Sequence, residues 1–156
     1  MPGTGGVAVS APIVVGYDDS DAAGRALDRA IEEARDSKSR LVVVAVLEMP
    51  LNPEGPQNFG TLDDSPARMI PLVEPPELEP ALSHARQTIE AAGLHADYVW
   101  AAGEPADAIV TAAQDRRARL IVLGAHHHGF FGRIFGADVA EGVRRDIEGC
   151  DVLVVE

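Results

Sequence analysis

The chain has 156 residues, of which 46% are hydrophobic, 24% charged and only 4% aromatic, a globular composition that excludes a disordered chain. With 13 Lys and Arg against 25 Asp and Glu, the formal charge is −12, a field that repels nucleic-acid backbones and anionic lipid surfaces. The single cysteine, Cys150, leaves no intrachain disulfide to form, and no apolar run reaches the length of a membrane span.

Residues 1–10 are Gly-rich and lack the basic and apolar regions of a signal peptide, so they read as a flexible tail on a cytoplasmic protein. The remainder, residues 11–156, reads as one domain. Pro12-Ile13-Val14-Val15-Gly16 is a short apolar run bounded by turn residues, which predicts a buried strand. Tyr17-Asp18-Asp19-Ser20-Asp21 follows, rich in helix-capping side chains. From Ala22 to Ser37 the pattern is helical, with Ala23, Leu27, Ala30, Ile31 and Ala34 on one face. Leu41 to Leu47 is almost wholly aliphatic and predicts a second buried strand.

Eight of the 11 prolines fall between residues 49 and 80, too dense for a continuous helix or a central strand. The stretch is expected to be a mobile acidic loop, and a solvated excursion is the simpler reading than a lid. Helix resumes from Leu82 to Leu94, with Gly93 as its C-terminal cap. Asp97 to Ala101 predicts a third strand, and Gly103-Glu104-Pro105 opens a third helix with Pro105 near its first position. Leu120 to Leu123 is a fourth strand ending at Gly124. A Gly- and His-rich loop runs to about Gly136, a last helix covers roughly Asp138 to Ile147, and Val152 to Val155 closes the chain as a fifth strand.

Short buried strands alternating with helices predict a doubly wound, five-stranded parallel α/β sheet with helices on both faces, a Rossmann-like arrangement. Ligands of such sheets bind beyond the carboxyl ends of strands where the strand order switches, here the loops after the first and fourth strands. The acidic charge does not exclude a small nucleotide, because backbone amides at a helix start hold phosphate without side-chain cations.

Ile13-Val14-Val15-Gly16-Tyr17-Asp18-Asp19-Ser20, Gly103-Glu104-Pro105-Ala106-Asp107-Ala108-Ile109, Arg119-Leu120-Ile121-Val122-Leu123-Gly124 and Cys150-Asp151-Val152-Leu153-Val154-Val155 are four segments that resemble the universal stress protein family, the last with Asp151 where the family usually has Pro. The resemblance implies the adenine nucleotide alpha hydrolase-like version of the fold. It also implies a homodimer paired through Val152, Leu153, Val154 and Val155, with ATP or AMP and Mg2+ as the ligand class.

The nucleotide-binding branch of that family carries Gly-x2-Gly-x9-Gly-Ser/Thr after the fourth strand. In this chain Gly124 matches the first glycine, His127 stands at the second, Ala137 at the third and Asp138 at the hydroxyl position, with Gly136 one residue early and Val139 back in register. An Asp at this helix start caps it and repels a terminal phosphate. The implied nucleotide residues are Gly16, Tyr17, Asp18, Asp19, Val46, Gly124, His126, His127, Gly129, Arg133, Gly136, Ala137, Asp138 and Val139. Asp18 corresponds to the acidic residue near adenosine and metal, and reads equally as a cap or turn residue. Val46 stands where the family packs adenine, and reads more simply as core.

His126, His127 and His128 invite a metal reading, but adjacent loop residues seldom converge on one centre and no Cys or Glu completes a set. Their partial protonation would attract phosphate in a pH-sensitive way. Phe130 and Phe131 pack beneath the loop or contact a partner, and a lone Arg133 is a surface residue before it is a phosphate donor. No nucleophile–base pair is evident: Ser20 has no His partner, Cys150 shows no sign of activation, and His84 and His95 read as surface residues. Two readings result, an adaptor dimer with weak or lost ATP binding and an adenine-nucleotide-binding stress protein (ATP, AMP or a cyclic nucleotide). A nucleotide hydrolase is a third, by fold analogy alone.

Overall fold

The computed structural model describes residues 10–48, 76–125 and 137–156. Expectations for residues 1–9, for most of the proline-rich stretch and for the loop at 126–136 lie outside the described residues.

Five strands are described: β1 (Ser10–Gly16), β2 (Ser39–Glu48), β3 (Ala96–Gly103), β4 (Leu120–Gly124) and β5 (Asp151–Val155). All pair in parallel, in the order β3-β2-β1-β4-β5. Four helices connect them: α1 (Asp21–Ser37), α2 (Glu79–Ala91), α3 (Pro105–Asp115) and α4 (Ala137–Asp146). The doubly wound sheet expected from the sequence is therefore the observed one.

The alternation of side chains along each strand divides the core into two layers. Ile13, Val15, Leu41, Val43, Leu120 and Val122 pack under α1 and α2 with Leu27, Ile31, Leu82 and Ile89. Val14, Val42, Val44, Ile121 and Leu123 pack under α3 and α4 with Ile109, Val110 and Val143. No polar or charged residue is buried among the described residues, so burial of aliphatic area is what holds the layers together. Aliphatic strands, buried on both faces, need no polar alternation.

The strands run a residue or two beyond the expected ranges, and both ends of α2 differ from expectation. The proline-rich stretch ends earlier than residue 80: Leu78 precedes α2, and Pro80 sits in its first turn, where a missing amide costs nothing. α2 also ends earlier, at Ala91. Gly93, at φ +81°, closes it by donating to the Glu90 carbonyl at 2.9 Å, while Leu94 donates to Ile89 at 3.1 Å. That bonding pair needs a left-handed residue at position 93. Gly103, at φ +130°, is likewise required where β3 turns into Glu104-Pro105.

At the amino ends of the strands, Arg119 ties three elements together. Its backbone amide donates to the Pro12 carbonyl at 2.9 Å, and its guanidinium donates to Ser37 Oγ at 2.6 Å and Ser39 Oγ at 3.2 Å. This resemblance residue thus works at the end of the sheet remote from the switch point.

Candidate functional site

The strand order reverses between β1 and β4. From β1 the chain winds outward to β2 and β3, then crosses back to β4 and β5, so the segments leaving β1 and β4 diverge and open a crevice at their carboxyl ends.

The β1 side of the crevice is a tightly bonded acidic turn. Gly16 ends the strand and is buried, and the Tyr17 amide donates to the Val44 carbonyl at 3.0 Å, holding the turn onto β2. Ser20, not Asp18, is the N-cap of α1: its Oγ accepts from the Ala23 amide at 3.1 Å. Asp18 Oδ1 accepts from the Ser20 amide at 3.1 Å and from Ser20 Oγ at 2.5 Å. Asp18 thus orders the turn through one oxygen. Its other oxygen, Oδ2, is buried and has no hydrogen-bond partner among the described residues. A buried acceptor without a donor is costly, so this oxygen suits a ligand that brings a donor.

Asp19 adopts φ +67°, an uncommon conformation outside glycine. Its carboxylate accepts from the Tyr17 hydroxyl at 3.1 Å and lies 2.9 Å through each oxygen from His84 Nδ1 of α2. Tyr17 is only 6% exposed, and its phenol is pushed up to about 12, first by burial and then by the charge and hydrogen bond of Asp19, with smaller contributions from Asp18 and Asp28. His84, expected to be a simple surface residue, is 57% exposed yet reaches the site turn. It was missed because its partner stands 65 residues away in sequence. The one local signal is its place beside the apolar stripe of Ala81, Leu82 and Ala85, which sets it at the edge of a packed helix face.

On the β4 side, Gly124 lies against the backbone of Ala22 in α1, with no room for a β-carbon. A packing contact therefore demands this glycine, whatever approaches it from the crevice. α4 opens at Ala137, one residue before the expected start, so Asp138 stands in the first turn and not at the cap, and Val139 is buried below. Val46, near the carboxyl end of β2, is 3% exposed and packs with Val14, Val44 and Ala106 in the α3–α4 layer. His126, His127, Gly129, Arg133 and Gly136, with the metal reading of His126–His128, lie outside the described residues. Among the described residues no group of three or more His, Cys, Asp or Glu is arranged to hold a metal ion. Burial and neighbouring Asp151 raise the Cys150 thiol, so it lacks the depressed value of an activated nucleophile.

Fold and crevice together define a doubly wound α/β domain with an acidic turn at its switch point. The Universal stress protein family profile matches residues 11–156, and the chain belongs to that family. A universal stress protein from Archaeoglobus fulgidus is 28% identical with a TM-score of 0.67, covering 95% of this chain and 100% of that one. A family member from Burkholderia pseudomallei is 26% identical with a TM-score of 0.64, covering 96% and 98%. A universal stress protein solved in complex with cAMP is also 26% identical, with a TM-score of 0.63, covering 94% and 98%. No curated protein matches the chain. No helix among the described residues is long and apolar enough to cross a membrane.

Proposed function

We propose that this protein is a stress-response module that binds an adenine mononucleotide, AMP or a cyclic nucleotide, in the crevice between β1 and β4, and binds ATP weakly. The observation that carries this reading is Asp18 Oδ2, a buried acceptor aligned with no donor among the described residues. The sugar hydroxyls of a nucleotide supply such donors. Asp18, Asp19 and Asp21 make the turn acidic, which suits a sugar and disfavours a phosphate beside it. Phosphate falls instead to the α4 side, where His127, Ala137 and Asp138 replace two glycines and a hydroxyl of the triphosphate-binding pattern. A less highly charged phosphate loses less there. The cAMP complex of a 26% identical universal stress protein supports the choice of ligand class. The role is binding without turnover, in a sensor or adaptor that acts as a homodimer joined through β5.

Calorimetric titration with AMP, cAMP and ATP, each with and without Mg2+, tests the reading. AMP or cAMP should bind more tightly than ATP. Asp18→Asn, which exchanges an acceptor for a donor, should weaken binding about tenfold. Combining His127→Gly, Ala137→Gly and Asp138→Ser should raise ATP affinity. ATP binding to the unaltered protein as tightly as AMP would overturn the mononucleotide preference, and no binding of any of the three would overturn the site.

A further inference from the structure

Asp18 and Asp19 are adjacent carboxylates, with Asp21 two residues on. Their mutual repulsion opposes a compact turn, and Asp19 is in addition held at φ +67°. Such a conformation persists only where its surroundings hold it. Asp19 is held from two sides. The buried Tyr17 hydroxyl reaches it from within the turn, and His84 Nδ1 reaches both its oxygens from α2.

We propose that His84 is a positioning residue for the ligand turn, fixing Asp19 from α2 and so holding neighbouring Asp18, with its unpartnered oxygen, in place. His84 is well placed for this work. Ala81, Leu82, Ala85 and Ile89 bury one face of α2 against the sheet, so the backbone carrying the imidazole is firmly seated. The ring therefore links the position of a packed helix to the acidic turn. The charged and titratable groups gathered at the junction are Tyr17, Asp18 and Asp19 of the turn and Asp28 of α1, the last acting on Tyr17. His84 supplies the donor that crosses from α2 to this acidic set. It acts through Asp19 and is not assigned a contact with ligand.

The inference rests on the proposed mononucleotide site, so its test has two arms. In the first, AMP is titrated into the unaltered protein, His84→Ala and His84→Asn. The Asn amide nitrogen stands where Nδ1 does, so His84→Asn should bind within about twofold of the unaltered protein, and His84→Ala about fivefold more weakly. Equal binding by all three, or equal loss in both variants, overturns the proposal. In the second arm, amide resonances of residues 17–20 are followed by NMR without nucleotide. They should shift in His84→Ala and return in His84→Asn, while Asp19→Asn should move the Nδ1 signal of His84. Unmoved resonances overturn the positioning role even if no nucleotide binds, whereas moved resonances with no AMP binding leave His84 as the brace of the turn and refute only the ligand.

Discussion

Gly124 of β4 and Ala22 of α1 meet backbone to backbone: a β-carbon on Gly124 would stand 2.4 Å from both the carbonyl carbon and the carbonyl oxygen of Ala22. Neither atom belongs to a side chain that can swing aside, so any larger residue must displace the start of α1.

Gly124→Ala should therefore cost about 2 kcal/mol of stability in urea denaturation. Gly142→Ala is the control. Its β-carbon would meet the Ala106 side chain at 3.0 Å, which a small adjustment relieves. There the gain in helix propensity, about 1 kcal/mol, should offset the crowding. A Gly124→Ala protein as stable as the unaltered one would show that α1 is not seated against β4 as described.

Tyr17 should make stability fall at alkaline pH. Its phenol is pushed up to about 12 by burial and by the facing Asp19, from an ordinary value of 10. The folded chain keeps a proton that the unfolded chain releases, so it holds more protons between those two values. The contribution is complete below pH 10 and is lost as pH rises through about 12. Over that window the unaltered protein should lose roughly 2 kcal/mol more than Tyr17→Phe. Parallel losses in the two proteins would show that the phenol titrates normally.

Among the described residues β5 pairs only with β4, and Val152 to Val155 are partly buried at the sheet edge. An apolar edge strand of this kind is a template for pairing. Val154→Lys should convert the proposed dimer to a monomer at micromolar concentration in sedimentation velocity, with circular dichroism unchanged. A monomeric unaltered protein would refute pairing through β5.

β1, β2, β4 and β5 were legible as short, largely aliphatic runs, and a strand buried on both faces, such as β4, needs nothing more specific than that, whereas β3 mixes Asp97, Tyr98 and Trp100 with aliphatic residues and is only partly buried. Leu41 to Leu47 and Leu120 to Leu123 show the point, and both lie within observed strands. Helix ends were less legible. Proline density between residues 49 and 80 suggested that no helix starts before Leu82, yet Pro80 is acceptable in the first turn of α2, where no intrahelical partner is owed to its nitrogen. Ala137 likewise carries no capping signal, so the start of α4 was placed one residue late.

The doubly wound sheet and the acidic turn after β1 follow from local runs of residue type. The sequence also carried the family, through four short segments in fixed order. What the residues of the turn do depends on contacts between elements far apart in sequence. Sequence cannot show that one Asp18 oxygen is spent on Ser20 while the other lies buried and unmet, because that depends on how the turn closes over α1. Nor can it show that Gly124 is required by Ala22, or that His84 on α2 braces Asp19. Those partners are separated by 102 and 65 positions and meet only when the sheet order β3-β2-β1-β4-β5 brings α1, α2 and β4 around the end of β1.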